Sequence, residues 1–423
     1  MLFSNVYKRY MLGVVTLVCT LNNLDRGLIG LLLQPIKEDL SLSDTQLGFL
    51  TGIAFGLFYA TLGLPIARRA DRGNRVNITS IAIGLWGVTV MLCMFVGNFV
   101  QLLLARIAAA IGESGCLPVT YSLVGDYFPA PAERTRAMSI FMLASPLSSL
   151  VSFMAGGWLN DRFGWRVTFF VMGIPALMVA ALVKITITEP RMHLEVVGHS
   201  AQRLPPMTKV LATLWQQRSS RHLSLAIILI FTMALGLWPW YAAFMIRSHG
   251  MSTAELGAWL GLIFGLGGSV GTLLGGYVTA RWFADDARRQ LRLSAIMIAS
   301  VIPCYILFLF LPNKNHALIA LVPLMLVLFF FIGPAFSMMQ RLVASEMRAT
   351  ALALVMLFAN LIGMGLGPQI VGILSDSLRP RLGTDSLRYA MLIMSLVALW
   401  SAYHFWQGGR TAKDDLVRCE RGA

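Results

Sequence analysis

Two pairs of residues in this chain carry charge where charge is costly. Asp25 and Arg26 lie in an apolar stretch over about residues 10–34, and Arg106 and Glu113 lie in another over about 99–124. An isolated charge at the centre of a bilayer costs at least ~2.5–3.5 kcal/mol. The four must therefore face one another or a wet cavity, and their formal sum of zero suits mutual pairing. Arg106 and Glu113 stand seven residues apart, which puts them on one helix face about 10 Å apart along the axis. Asp25 and Arg26 are neighbours, so they diverge by about 100° and can serve different partners. Asn22 lies one turn before Arg26 on its face, and Gly112, Gly115 and Pro118 loosen the helix around Glu113. Backbone groups freed there need a cavity or neighbouring protein.

The chemistry this set can do is proton exchange coupled to anion binding. Burial disfavours an ionised carboxylate and an adjacent guanidinium favours it, so the balance shifts with access to water. Asp25 and Glu113 are the candidates to take and release a proton. When one is protonated the cluster passes from 0 to +1, and Arg26 or Arg106 is freed to grip an anionic group in bidentate fashion. The bland alternative is a static ion network pinning one span to another. No histidine competes for the role: His193, His199, His222, His249 and His316 fall in connectors or at span ends, and His404 near the end of the last span. There is no phosphate-binding glycine loop, nucleotide motif, metal-ligand cluster or Ser-His-Asp arrangement, and GESGC (112–116) lacks the nucleophile-elbow order. The expectation is a protein that is no enzyme, holds no metal or cofactor, and draws on a proton gradient.

The elements that position these residues follow from composition. Of 423 residues 57% are apolar and 13% charged, against roughly 25% charged in ordinary soluble domains. Mean hydropathy is +0.70. Continuous apolar runs exclude an alternating membrane barrel. Apolar segments of the length that crosses a bilayer fall near 10–34, 45–67, 77–96, 99–124, 137–159, 167–187, 222–246, 255–280, 293–311, 317–340, 349–374 and 389–407. The fold class expected is thus an all-α polytopic membrane protein with twelve transmembrane helices. The net charge of +14 is spread over short connectors with no aromatic stacking platform, so nucleic acid is excluded as a partner. The five cysteines are scattered and read as packing residues.

The one long connector divides the chain. Residues 1–187 form an N-terminal six-helix bundle, 188–221 a connector, 222–408 a C-terminal six-helix bundle and 409–423 a basic tail. Connectors on the side of the N-terminus hold 24 Lys and Arg and those on the other side 8, which places both termini in the cytoplasm. A Gly, apolar, charged signature follows span 2 (GLPIARRADRGNR, 63–75) and span 5 (GGWLNDRFGWR, 156–166), with weaker forms after spans 8 and 11. Its return every three spans fits three-helix units of inverted topology. In the connector, Met207, Val210, Leu211, Leu214 and Trp215 share one helical face, which suits an interfacial helix or a plain linker helix. The second half has no deep charge. It carries Trp238, Trp240 and Tyr241 around Pro239, and a sparse polar set of Gln340, Asn360 and Gln369. A charged wall facing an aromatic one would suit a ligand with an anionic head and an apolar tail.

The segments 22–75, RIAAAIGESG (106–115), SLVGDYFP (122–129) and 156–166 resemble the major facilitator superfamily and, within it, the Spinster-like transporters of bacterial type. The resemblance spans nearly all of residues 10–408. It implies the major facilitator fold, with two six-helix bundles around a cavity that opens alternately to each side. It also implies proton sensing at Asp25 and Glu113, and substrate or gating roles for Arg26 and Arg106. Asp71, Arg72 and Arg75 match the superfamily's cytoplasmic gate signature, to which Asp126, Arg134 and Arg136 would add opposite charges. Asn22, Trp238, Trp240, Tyr241 and Asn360 complete the candidate substrate-binding set.

The function expected is a secondary active transporter of an amphipathic anion such as a lysophospholipid or sphingosine phosphate, with proton coupling or modulation. Two rivals are a proton-driven symporter of small organic anions such as sugar acids, and a non-transporting membrane sensor. The partners expected are the bilayer and the anionic substrate. The resemblance implies a monomer in a bacterial inner membrane.

Overall fold

The computed structural model describes residues 3–190, 206–283 and 286–421, apart from the side chains of a few helical residues, Asp71 and Arg72 among them. The described backbone is helical, with no strand. Helix α1 (Asn5–Leu40) starts where Ser4 accepts a hydrogen bond from the Tyr7 amide and ends on Ser41 at φ 52°. At 1.5 Å per residue its 36 residues outreach the ~30 Å hydrocarbon layer. A capping box of Ser43 and Gln46 opens α2, which runs Asp44–Thr51 and then Ile53–Arg72. Asn74 caps α3 (Arg75–Leu92), and Asn98 caps α4, which runs Phe99–Ser114 and then Cys116–Tyr127. Pro131–Met142 leads into the long stretch Ala144–Thr186, which Gly164 breaks at φ 77° into α5 and α6.

An amphipathic connector helix (Met207–Gln216) precedes α7 (Arg218–Leu237, then Trp240–His249). The interruption falls at Trp238-Pro239, where proline supplies no backbone N–H. Helix α8 runs Thr253–Leu262 and Gly268–Trp282 around a π-turn at Ile263–Gly267. Then follow α9 (Ala287–Ala299, Val301–Phe310), α10 (Lys314–Phe330, Ile332–Arg341), α11 (Arg348–Leu382) and α12 (Ser386–Ser395, Val397–Arg421). Twelve passes are consistent with the count expected from hydropathy. Outward faces carry large exposed apolar side chains, such as Ile81 at 70% and Leu273 at 73% exposure. Surfaces of that kind suit lipid and not water.

The chain groups into two compact units: Met1–His199 with Tyr241–Gly265, and Ser200–Trp240 with Leu266–Ala423. This differs from a division at 187 and 222, because the segment 241–265 packs with the first unit. Glycine explains the close approach. A Cβ at Gly157 would sit 2.2 Å from the Thr253 carbonyl oxygen, and one at Gly257 would sit 2.1 Å from that of Phe153. Small residues let membrane helices meet backbone to backbone. The core of the first unit includes the fully buried Trp86, Phe55, Phe141 and Phe169. The second unit is centred on Ile227, Ile230, Tyr305, Phe308 and Phe405.

Candidate functional site

The four intramembrane charges meet in two crosswise pairs inside the first unit. Arg106 Nη1 of α4 donates to Asp25 Oδ2 of α1 at 2.6 Å. Arg26 of α1 donates to Glu113 Oε1 of α4 from Nε at 2.9 Å and from Nη2 at 2.7 Å. The 100° divergence of Asp25 and Arg26 and the two-turn spacing of Arg106 and Glu113 thus produce one pair each. Asp25, Arg106 and Glu113 are buried, whereas 30% of the Arg26 side chain stays accessible.

The two pairs do not satisfy all their atoms. Asp25 Oδ1, Arg106 Nε, Glu113 Oε2 and both amide atoms of Asn22 are buried with no hydrogen-bond partner among the described residues. Asn22 itself is fully buried. A buried polar group without a partner costs about 1–3 kcal/mol, so five such atoms are a cost that a purely structural lock would avoid.

Two aromatic residues of α2 belong to this site and escaped the sequence reading. The Phe55 ring centroid lies 5.0 Å from the Arg106 guanidinium and 5.9 Å from that of Arg26, and Tyr59 lies 5.2 Å from Arg26. Phe55 and Tyr59 stack at 5.7 Å between centroids. Their spacing of four on one helix face was a usable signal, hidden by the abundance of aromatics in apolar spans.

Of the second-half candidates, Trp238, Trp240 and Asn360 fall in the second unit and Tyr241 in the first. Trp240 and Tyr241 are buried, and Tyr241 packs 5.6 Å from Phe264. Asn360 donates its amide to the Met356 carbonyl of its own helix at 2.9 Å. Among the histidines, His222 and His404 meet Nδ1 to Nδ1 at 2.8 Å, one ring donating to the other, and His249 packs edge-on against Phe244 at 5.9 Å between centroids.

A second cluster sits at the end of the first unit that carries the N-terminus. Arg75, fully buried, pairs with Asp126 at 2.7 Å and donates to Ser122 Oγ at 2.8 Å. It also binds Glu189, through its backbone N at 2.6 Å and its Nε at 3.1 Å. Glu189 was absent from the sequence-based set, because an acid just after span 6 looks like an ordinary connector charge. Arg134 donates instead to the carbonyls of Phe128 and Gly125, and Arg136 is exposed. The side chains of Asp71 and Arg72 lie outside the described residues.

A third cluster lies at the opposite end of the same unit, and nothing in the sequence reading named it. Arg247 of α7 donates to Asp44 Oδ2 at 2.8 Å and Oδ1 at 2.7 Å, and also to Gln34. Lys37 binds the same carboxylate, and Asp44 is buried. Close by, Asp161, in the turn between α5 and α6, accepts from Thr253 N at 3.0 Å and from its hydroxyl. Burial would raise the Asp161 carboxyl, but hydrogen bonds from Thr253, Ser252 and the Ala254 and Thr253 amides outweigh it and hold it below the usual range. The carboxylate also meets the positive end of α8.

Comparison with known proteins places this geometry. The model of the Major Facilitator Superfamily matches residues 15–368. The chain belongs to that superfamily. An MFS-type efflux pump of Mycolicibacterium smegmatis is 32% identical over 96% of this chain and 93% of its own. Two more distant relatives, each 26% identical, are a probable L-galactonate transporter of Escherichia coli (89% of this chain, 84% of its own) and a sphingosine-1-phosphate transporter of Danio rerio (93% and 82%). Among solved structures, a bacterial homologue of the human lysosomal transporter Spinster, in an inward-facing unoccupied conformation, superposes with a TM-score of 0.86. It is 27% identical, over 98% of this chain and 99% of that one. The chain is a Spinster-like transporter of this superfamily, with the major facilitator fold; its family and fold are those of transporters and not enzymes.

Proposed function

We propose that the chain moves an amphipathic anion by alternating access and exchanges a proton at the paired charges. The observation that carries this is the asymmetry of the Arg26–Glu113 pair. The carboxylate is enclosed, the guanidinium keeps an accessible face, and Asn22, Asp25 and Arg106 of the same two helices carry buried polar atoms with no partner among the described residues. When Glu113 takes a proton, its oxygen forms an O–H bond and loses the charge that held Arg26. The guanidinium, braced by Phe55 and Tyr59, is then free for a phosphate or carboxylate in bidentate geometry. Loss of the proton restores the internal pair and expels the anion. Asp25 and Arg106 are the second such pair.

The sphingosine-1-phosphate relative supports a single-chain lipid phosphate as cargo. The L-galactonate relative supports a second reading, proton-driven symport of a small organic anion. The excess of Lys and Arg in connectors on the N-terminal side supports cytoplasmic termini in a bacterial inner membrane, and the family resemblance supports a monomer. On this orientation Arg75, Asp126 and Glu189 brace the cytoplasmic end of the first unit, and Arg247, Asp44 and Asp161 tie together its other end.

Proteoliposomes with a set pH difference test the reading. Lysophospholipid should cross at a pH-dependent rate. Glu113→Gln should insert yet lose the pH dependence, with a smaller effect in Asp25→Asn, and Arg26→Ala or Arg106→Ala should lose anion binding. Displacement of the lipid by a soluble sugar acid would favour the second reading. Binding of either ligand without flux would leave a membrane sensor and overturn transport.

A further inference from the structure

The connector helix does more than join two halves. Val210 and Leu214 are buried against the second unit, while Met207, Leu211 and Trp215, each four residues on, are exposed. The helix therefore has apolar residues on both its inner and its outer side. Between it, α7 and α11 lies a groove of about 270 Å³, below the roughly 300–1,000 Å³ of pockets for compact ligands. Leu211, Trp215, Ile228, Leu354 and Phe358 line it, and the one charged residue in the lining is Arg221. Ser224 is the only other polar lining side chain. The Arg221 guanidinium lies 5.7 Å from the Trp215 ring, and no carboxylate pairs with it among the described residues.

We propose that this groove is a binding site for an anionic glycerophospholipid, with one acyl chain in the groove and the phosphate on Arg221. Three observations converge. The lining accepts hydrocarbon and offers a polar ligand nothing but Arg221 and Ser224. Arg221 is one turn into α7 (Arg218–Leu237), the level of the interface, where an amphipathic helix and a tryptophan settle. Among the described residues the cation touches the Trp215 ring and no carboxylate, which makes it complementary to a headgroup phosphate. The lipid is a resident that ties the connector helix to α7 and α11. It is distinct from the cargo and does not depend on the transport reading.

Native mass spectrometry of the full-length protein, released from micelles containing equal phosphatidylglycerol and phosphatidylcholine, tests this. One phosphatidylglycerol should be retained with roughly fivefold preference, the effect of one cation at an anionic surface. Arg221→Gln should abolish the preference, and Ser224→Phe, which fills the groove, should reduce retention of both lipids. Lys413→Gln, a change at an exposed residue, should alter neither. No preference in the parent protein overturns the site, as does a preference undiminished in Arg221→Gln or retention undiminished in Ser224→Phe. A loss equal in Lys413→Gln would assign the effect to general surface charge and also overturn it. Cargo flux is measured separately, so its absence would leave this result standing.

Discussion

Replacing Arg247 by alanine should loosen the end of the first unit opposite the N-terminus by a measurable amount. Arg247 gives two hydrogen bonds to Asp44 and one to Gln34. Asp44 is only 1% exposed, so water does not simply replace the lost donors. Orphaning a buried charge costs about 3–5 kcal/mol, but Lys37 remains on the same carboxylate and lowers that figure. Hydrogen bonds to charged groups contribute about 1.5–3 kcal/mol. A loss of about 2–3 kcal/mol follows, which is roughly 30- to 150-fold in the constant for local opening. Hydrogen exchange in nanodiscs reads that constant directly for residues 240–256. Exchange there should accelerate by that factor in Arg247→Ala and by less in Arg247→Lys, with the α3–α6 contacts unchanged. Unaltered exchange over 240–256 in a folded Arg247→Ala protein would refute the latch.

Other outcomes follow from the same contacts. Phe55→Leu removes a ring that faces two guanidiniums, each contact worth about 0.5–2 kcal/mol, and should weaken anion affinity severalfold in a binding titration while the protein still inserts. Glu189→Ala leaves the buried Arg75 with Asp126 and Ser122 among the described residues, and thermal unfolding in detergent should show a clear loss of Tm; an unchanged midpoint would show that Glu189 is dispensable. Asp161 is held below the usual carboxylate range, so its contribution is present above the unfolded-state value and fades as pH falls through the folded one. The opening constant over 250–256, taken from exchange corrected for the intrinsic rate at each pH, should therefore rise in acid, and in Asp161→Ala it should be high at every pH.

The sequence exposed what the membrane makes expensive. Asp25, Arg26, Arg106 and Glu113 stood out because a charge in hydrocarbon needs a reason, and their spacing anticipated that α1 and α4 would pair through them. Which cation meets which carboxylate was open, since adjacent residues on α1 can turn either way. Glu189, Asp44 and Arg247 were invisible for the opposite reason: charges in connectors are the norm, and hydropathy gives no clue to which of them are buried. Gly157 and Gly257 were legible as small residues but not as the place where α5 and α8 touch, because that contact joins segments far apart in sequence. The face shared by Met207, Val210, Leu211, Leu214 and Trp215 predicted the connector helix, while its division into buried and exposed rows depended on the partners α7 and α11.

The central claim is that anion binding and proton binding share one charge balance. Calorimetric titration of the purified protein with a lysophospholipid, in buffers of different ionisation enthalpy, measures the protons taken up on binding. The account predicts uptake of about one proton per anion at a pH where the ligand-free carboxylates are ionised, and loss of that uptake in Glu113→Gln with binding retained. Binding with no proton uptake in the parent protein, or uptake unchanged in both Glu113→Gln and Asp25→Asn, would contradict it.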